Sequence, residues 1–335
     1  MLLRKVQEMG GATLLVSLPK QWANSSNIKK GSLVAIEPSA DGGLMIYPTR
    51  DVDDEKIEKE LEIKYPSKFN NEGLPNEITA AYLLGFDLIR IKGQYRIASK
   101  DRERIISSIK SLIGLEVVEE DAYSISSQFL VDNRAVEPSR IFKRISVLVR
   151  SMILDSIKQF ASAESEQATS VAQRDDEVDR LHFLLVRMLR TAVREPRVAS
   201  AFGLSAIECL DYRVATNSLE TAGDYAVELA DSLSKLGSMD GKNLDLMLKI
   251  GNFLDSMQDS ATRSFTKKDF KLAQIVFNSY STLEGQLKGL RNVPDESLAS
   301  ILHFSDIIER IARCHRDIAD LVSPVGEDQT VNRMN

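Results

Sequence analysis

Cysteine, histidine and tryptophan are scarce in this chain, and each scarcity excludes something. Two cysteines in 335 residues, Cys209 and Cys314, make no disulfide framework and no CxxC or other zinc spacing. Both fall in segments with helical periodicity, so a reducing compartment is the simple reading. The three histidines, His182, His303 and His315, also fall in helical segments. They offer no Ser/His/Asp or Cys/His arrangement for nucleophilic catalysis. The single tryptophan, Trp22, is expected to anchor a small core rather than stack on a base. No GxxxxGK(S/T) loop is present to cradle a nucleotide phosphate. No run approaches the ~20 apolar residues that span a bilayer. Met1–Gly10 contains Arg4, Lys5 and Glu8 and lacks the apolar stretch of a signal peptide. The expectation is a cytoplasmic protein that neither crosses a membrane nor catalyses a reaction.

What is present is an uneven charge. The formal net charge is −6, but residues 1–50 hold six bases (Arg4, Lys5, Lys20, Lys29, Lys30, Arg50) against three acids (Glu8, Glu37, Asp41). That head carries a surplus of three positive charges, which leaves −9 on the remainder. A basic head on an acidic body points to a polyanionic partner for the head.

The length allows two or three domains. Residues 1–50 read as small and mostly β. Thr13–Val16 is a short apolar strand after Gly10-Gly11, Pro19 opens a short helix through Trp22 and Ala23, and Lys29-Lys30-Gly31 turns. Leu33–Glu37 and Leu44–Tyr47 form strands joined at Asp41-Gly42-Gly43. So few core positions will not readily fold alone, and dimerisation is the expected remedy. Residues 51–75, acidic and then rich in Asn, Gly and Pro, read as a linker. Residues 76–135 read as α+β, with helices capped by Asn76 and Ser99 and strands at Phe86–Ile91, Leu115–Val118 and Ile125–Val131. Residues 136–325 are helical, and 326–335 are a flexible tail.

The helical part repeats itself. Ser151-Met152 matches Ser256-Met257, Phe160 matches Phe265 and Val171 matches Val276, each 105 residues apart. Leu219-Glu220-Thr221-Ala222 matches Ile308-Glu309-Arg310-Ile311, 89 apart, so the second copy has a shorter connection before its third helix. Two stacked three-helix units follow. Apolar stripes mark the helices, the third running Ile207, Leu210, Val214, Ala222, Tyr225, Leu229, Leu233.

The first copy carries acids beside its stripes: Asp175 and Asp179 on its second helix, and Glu220, Asp224 and Asp231, in one row with Asn217, on its third. Like charges four apart on one face repel. Two such pairs on neighbouring helices, if those pack antiparallel, face one another and call for a cation between them. Oxygen donors of this kind suit magnesium, manganese, iron or calcium. The competing reading is a solvated amphipathic face, with His182 at the surface or border rather than a ligand. In the second copy Asp175 becomes Tyr280, Asp179 becomes Glu284 and Asp224 becomes Arg313, while Glu309 keeps the place of Glu220. A second site is not expected there; Arg313 would replace a cation's charge by pairing with a neighbouring acid.

These residues carry a family likeness. Asp175 with Val178-Asp179-Arg180-Leu181 resembles the first acidic helix of PhoU-type proteins, and Glu220-Thr221-Ala222-Gly223-Asp224-Tyr225-Ala226-Val227-Glu228-Leu229-Ala230 is similar to their second motif. Glu309–Asp320 resembles that motif again, with its central Asp replaced by Arg313. The resemblance spans about 138–322. It implies tandem three-helix bundles that bind hard metal ions, as a multinuclear iron, manganese or magnesium cluster, on Asp175, Asp179, Glu220 and Asp224. It also implies a negative regulatory role in phosphate uptake, through a phosphate transporter ATPase subunit or a signalling partner.

The head has its own likeness. Arg4-Lys5-Val6-Gln7, Val16-Ser17-Leu18-Pro19-Lys20-Gln21-Trp22 and Lys29-Lys30-Gly31-Ser32-Leu33-Val34 resemble the AbrB/SpoVT swapped-hairpin domain, an intertwined β dimer that binds DNA. Fused to a PhoU-like body, it resembles phosphate-regulator proteins of archaea. The leading expectation is a homodimeric DNA-binding regulator of phosphate homeostasis that holds double-stranded DNA by phosphate contacts from Arg4, Lys5, Lys20, Lys29 and Lys30. The alternative is an adaptor that docks on a transporter ATPase and never touches DNA. A ferritin-like carboxylate enzyme needs Glu-x-x-His on two helices; only Asp179-x-x-His182 exists, once.

Overall fold

Two units make up the chain, residues 1–57 and 58–335. The computed structural model describes residues 3–11, 13–38, 42–48, 58–67, 71–132, 136–162, 168–234, 241–290 and 295–322. Asp41 of the expected hairpin turn, Arg50 of the basic head, and the tail expected at 326–335 lie outside them.

In the first unit, β1 (Gln7–Met9) pairs antiparallel with β2 (Thr13–Leu15), turning through Gly10 and Gly11, both at positive φ. Pro19 precedes α1 (Lys20–Ser25), and its carbonyl accepts the Ala23 N–H at 2.9 Å. A second antiparallel pair follows, β3 (Val34–Pro38) with β4 (Leu44–Pro48). Among the described residues of this unit none is buried, Trp22 included, and Leu3, Leu14, Leu33 and Leu44 are each more than two-thirds exposed.

The second unit opens on a small α+β layer. Its strands are β5 (Glu60–Tyr65), β6 (Leu88–Gly93), β7 (Leu115–Glu120) and β8 (Ser124–Phe129), in the order β5-β6-β8-β7. β5 and β6 run parallel, joined through α2 (Leu74–Leu83), since a parallel pair needs a crossover. β5 corrects the expected 51–75 linker. Glu60, Glu62 and Lys64 face out while Leu61, Ile63 and Tyr65 turn inward, a period-two pattern that acidic neighbours disguise. α2 also starts earlier than expected, at Leu74 with Pro75 in its first turn rather than behind an Asn76 cap. The helix α3 (Ser99–Lys110) buries Ile105 and Ile109.

Seven helices follow: α4 (Pro138–Ser162), α5 (Ala168–Arg194), the short α6 (Pro196–Phe202), α7 (Ala206–Ser234), α8 (Gly241–Lys267), α9 (Phe270–Leu290) and α10 (Asp295–Asp320). α4, α5 and α7 pack as one three-helix unit and α8, α9 and α10 as the other. The copies meet through equivalent helices, α4 against α8 and α7 against α10, where Arg310 pairs with Glu228 through two bonds of 3.0 and 2.8 Å, and the α4–α8 contacts are reciprocal. Ser146 bonds Thr262 at 2.7 Å, while their counterparts Gly251 and Ile157 touch, a Cβ on Gly251 falling 2.9 Å from Ile157 Cδ1. Arg150 and Asp255, equivalent positions in the repeat, pair with each other through two bonds of 2.7 and 2.8 Å. An isologous contact of this kind is how identical subunits dimerise. The third expected stripe needs correction: Ile207, Leu210 and Val214 are exposed, and Cys209, Ala215, Thr216 and Leu219 are buried in their place.

Arg187 on α5 ties the α+β layer to the bundle. It is 1% exposed. Nη1 donates to the Tyr82 and Phe86 carbonyls at 2.6 and 2.9 Å, Nη2 meets Asp87 Oδ1 at 3.3 Å, and the guanidinium lies 3.9 Å from the Phe129 ring centre. These carbonyls end α2, whose C-terminus favours a cation; Gly85, at φ +82, makes the turn that presents them. Replacing Arg187 with Leu takes the opposite charge from buried Asp87, which keeps the Lys59 N–H at 3.2 Å. Breaking a buried pair from one side costs about 3–5 kcal/mol, so the urea midpoint of Arg187→Leu should fall accordingly, and Asp87→Asn in the same chain should recover part of the loss.

Candidate functional site

The α5–α7 packing builds the site. Asp175, Asp179 and His182 recur at spacings of four and three on one face of α5, and Glu220 and Asp224 stand one turn apart on α7. The helices run antiparallel with Gly223 at their closest approach. A Cβ there would lie 3.4 Å from Asp175 Oδ1, 3.5 Å from Val178 and 3.6 Å from Val149 of α4. A larger residue at 223 would press on Asp175.

One carboxylate oxygen from each of Asp179, Glu220 and Asp224 lies within 4.8 Å of the other two. Asp175 stands beside them with Oδ1 buried and without a hydrogen-bond partner. The four acids expected from the sequence are therefore brought together. Among the described residues, no lysine or arginine forms an ion pair with any of them; Arg174, next in sequence to Asp175, is drawn off to Asp155 at 2.7 Å and Ser151 at 2.9 Å. Burial, then the charges of Asp179 and Asp224, pushes Asp175 up to about 6. Burial, then Asp224 and Asp179, pushes Glu220 up to about 7. Asp179 and Asp224 are raised as well, each first by burial. Asp231, the last acid of the expected row, is exposed and outside this cluster.

His182 departs from expectation. It is buried rather than at the surface, packed between α5 and α7 and hydrogen bonded to the Thr216 backbone, with Nδ1 unpartnered. Burial pushes its pKa down to about 4, so the ring is neutral. Its place three residues after Asp179 on the same face was the signal to read.

The second copy holds its cation within the chain. Arg313, at the place of Asp224, meets Glu309 at 3.2 Å and bonds Tyr280, which stands at the place of Asp175. Glu284, at the place of Asp179, is exposed. In the head, Arg4, Lys5, Lys20, Lys29 and Lys30 are all exposed.

Family comparison separates the same two parts. Residues 142–233 match the PhoU domain, and residues 9–54 match the antidote-toxin recognition MazE family of bacterial antitoxins. The body is PhoU-like, and the head is of the MazE/AbrB type. Two curated relatives are phosphate-specific transport system accessory protein PhoU homologues. The one from Pseudomonas putida is 30% identical over 148 residues, 43% of this chain and 56% of that protein. The one from Pseudomonas aeruginosa is 30% identical over 149 residues, 43% of this chain and 59% of that protein. The chain thus spans little more than half the length of these relatives. Among solved structures, PhoU from Pseudomonas aeruginosa aligns with TM-score 0.48 at 20% identity, over 55% of this chain and 93% of that one. The phosphate transport system regulatory protein PhoU from Streptococcus pneumoniae aligns at 0.44 and 17%, over 55% and 91%.

The raised carboxylates predict a pH dependence. A group whose pKa is higher folded than unfolded stabilises the fold while both states are protonated, and that contribution is lost as pH climbs from the unfolded value, near 4, through the folded one. For Asp175 and Glu220 the loss is complete above about 7. The melting temperature of chelator-treated protein should fall across this window, and Glu220→Gln should flatten the fall. A wild-type profile as flat as that of the variant would mean the acids do not repel.

Proposed function

We propose that this protein is a DNA-binding transcriptional regulator of phosphate uptake, with a metal-binding PhoU-like body as its sensor. The observation that carries the reading is the joining, in one chain, of a PhoU-type body to a basic MazE/AbrB-type head. The head acts as a homodimer. Its support is the absence of any buried residue among those described, with leucines 3, 14, 33 and 44 open to water; exposed apolar surface on this scale marks an interface. The dimer presents each of Arg4, Lys5, Lys20, Lys29 and Lys30 twice and holds duplex DNA through the phosphate backbone. Trp22 belongs to the head's shared core.

The acidic cluster fits a hard cation. Asp179, Glu220 and Asp224 offer converging oxygens, Asp175 adds an orphaned one, and among the described residues no lysine or arginine forms an ion pair with them. These four would hold magnesium, manganese or iron, singly or as a cluster, and a bound ion supplies the positive charge that lets α5 and α7 keep all four ionised. No such site is assigned to the second copy, where Arg313 takes the cation's place. The protein works in the cytoplasm as a regulator, not an enzyme. No helix among the described residues is long and apolar enough to cross a membrane, so contact with a phosphate transporter would run through its cytoplasmic ATPase.

A mobility-shift titration of full-length protein on its own promoter and on phosphate-transporter promoters, across a salt series, tests the reading. Each substitution Lys29→Ala or Lys30→Ala, present twice per dimer, should flatten the log–log salt slope by about 2. No shift at low salt would favour the adaptor instead. Leu14→Asp should turn the dimer into a monomer in sedimentation; a dimer that survives it would remove the head as the dimerising element.

A further inference from the structure

The four-stranded sheet of the α+β layer has two edges, and the chain treats them differently. At one edge, β7 is interrupted by a bulge between Val117 and Glu119 and carries Glu116, Glu119 and Glu120, all exposed. A bulge and a run of like charge keep a free edge from pairing. β5, at the other edge, has neither. Its six residues, Glu60–Tyr65, run in unbroken register against β6 and include no proline. Among the described residues no strand pairs with its outer side. An edge of this kind is a template for another strand.

The side chains of β5 say which strand fits. Leu61, Ile63 and Tyr65 turn inward, and Glu60, Glu62 and Lys64 stand exposed on the open face. Glu60 meets Arg90 of β6 at 3.2 Å. Glu62 and Lys64 form no ion pair with a described residue. The β5–β6 register sets Lys64 beside Lys92, and like charges directly opposite one another destabilise a sheet. Lys64 therefore has a like charge on one flank and an open position on the other.

We propose that β5 pairs antiparallel with β5 of a second copy of this chain, joining two four-stranded sheets into one. With Ile63 opposite Ile63, each Glu62 lies across from Lys64 of the second copy, and each Leu61 across from Tyr65. Apolar residues then share the inner face and charged residues the open face. Centring the pair on Glu62 instead sets Glu62 against Glu62, and centring it on Lys64 sets Lys64 against Lys64. A centre between two residues turns one copy's apolar face against the other's charged face. The strand is thus self-complementary in one register, as an isologous contact requires. Six residues a side fall well short of the roughly 20–30 that make a stable interface, so β5 does not dimerise the protein unaided. The inference rests on the proposed dimerisation of the head, which tethers two bodies and raises their effective concentration. The shared sheet then joins the two helical bodies, each held to it by its own Arg187.

The dimer dissociation constant of the full-length protein, from sedimentation across a dilution series, tests it. Glu62→Lys and Lys64→Glu each set two like-charged pairs opposite one another and should each weaken the dimer at least ~10-fold. The double exchange, Glu62→Lys with Lys64→Glu, should restore it to within about threefold. Lys64→Glu also separates the contact from damage to the fold. It removes the repulsion from Lys92, so its urea midpoint should hold or rise while its dimer weakens. Glu62→Cys with Lys64→Cys should give a covalent dimer on mild oxidation. The strand pair is overturned if both single reversals dimerise as wild type does, or if the double exchange is no tighter than the singles. If the reversals weaken the dimer and Leu14→Asp does not, the head reading alone falls. If Leu14→Asp abolishes the dimer and the reversals leave it unchanged, the strand pair alone falls.

Discussion

The close antiparallel approach of α5 to α7 is the constraint on which the rest of the second unit depends. Gly223 lies at that approach: an added Cβ would already be in van der Waals contact with Asp175, Val178 and Val149, so a side chain longer than alanine's would have to displace one of them. At that separation two rows of polar side chains are forced together along a groove, and burial removes the water that would screen them. The same helix is gripped on another side by Arg187, which closes the C-terminus of α2. α5 cannot drift from α7 without straining that buried junction, so the carboxylates are held near one another by contacts they do not make themselves.

Such a groove is costly as bare protein. Four carboxylates without a cation repel one another, and after burial that repulsion is what raises the pKa of Asp175 and Glu220. A chain selected for stability alone would mix the signs, as it does between α4 and α8, where Arg150 is braced by Asp255 and Asp259 at 2.7 and 2.9 Å. Segregated charge at one end of one helix pair marks surface kept for ligands rather than for the fold. An ion bound there would stabilise the structure by mass action, and the stability of the first three-helix unit would then track ion concentration.

Much of this was legible in the sequence because it is written in helical period. The repeat, the six long helices and the acid rows all follow from spacing, and antiparallel packing was the one assumption needed to join the rows. What escaped depended on partners distant in sequence. Arg187 lies among Leu184, Leu185 and Met188 and gave no sign of a carbonyl-lined socket a hundred residues upstream. β5 hid among acids because an edge strand shows only half of its residues to the core. Ile207, Leu210 and Val214 obey the same period as the core yet face water, since period locates a stripe and not what covers it. The head gave the opposite lesson: its shortage of core positions predicted an incomplete fold, and none of those whose exposure is described is buried in the single chain.

The two copies also explain why the site is asymmetric. Reciprocal packing of α4 on α8 interlocks Ser146, Ile157, Gly251 and Thr262, residues that stand outside the acid cluster. Each groove was therefore free to resolve its acids separately. Arg313 neutralises Glu309 from within the second copy, so that groove needs no ion to be stable. Among the described residues no arginine pairs with the acids of the first copy, and the first copy is coupled through Arg187 to the α+β layer. A change of charge in its groove bears on the helix that carries that junction. The position of Arg187, on the helix that supplies Asp175 and Asp179, makes the first copy the one through which occupancy can be felt elsewhere in the unit.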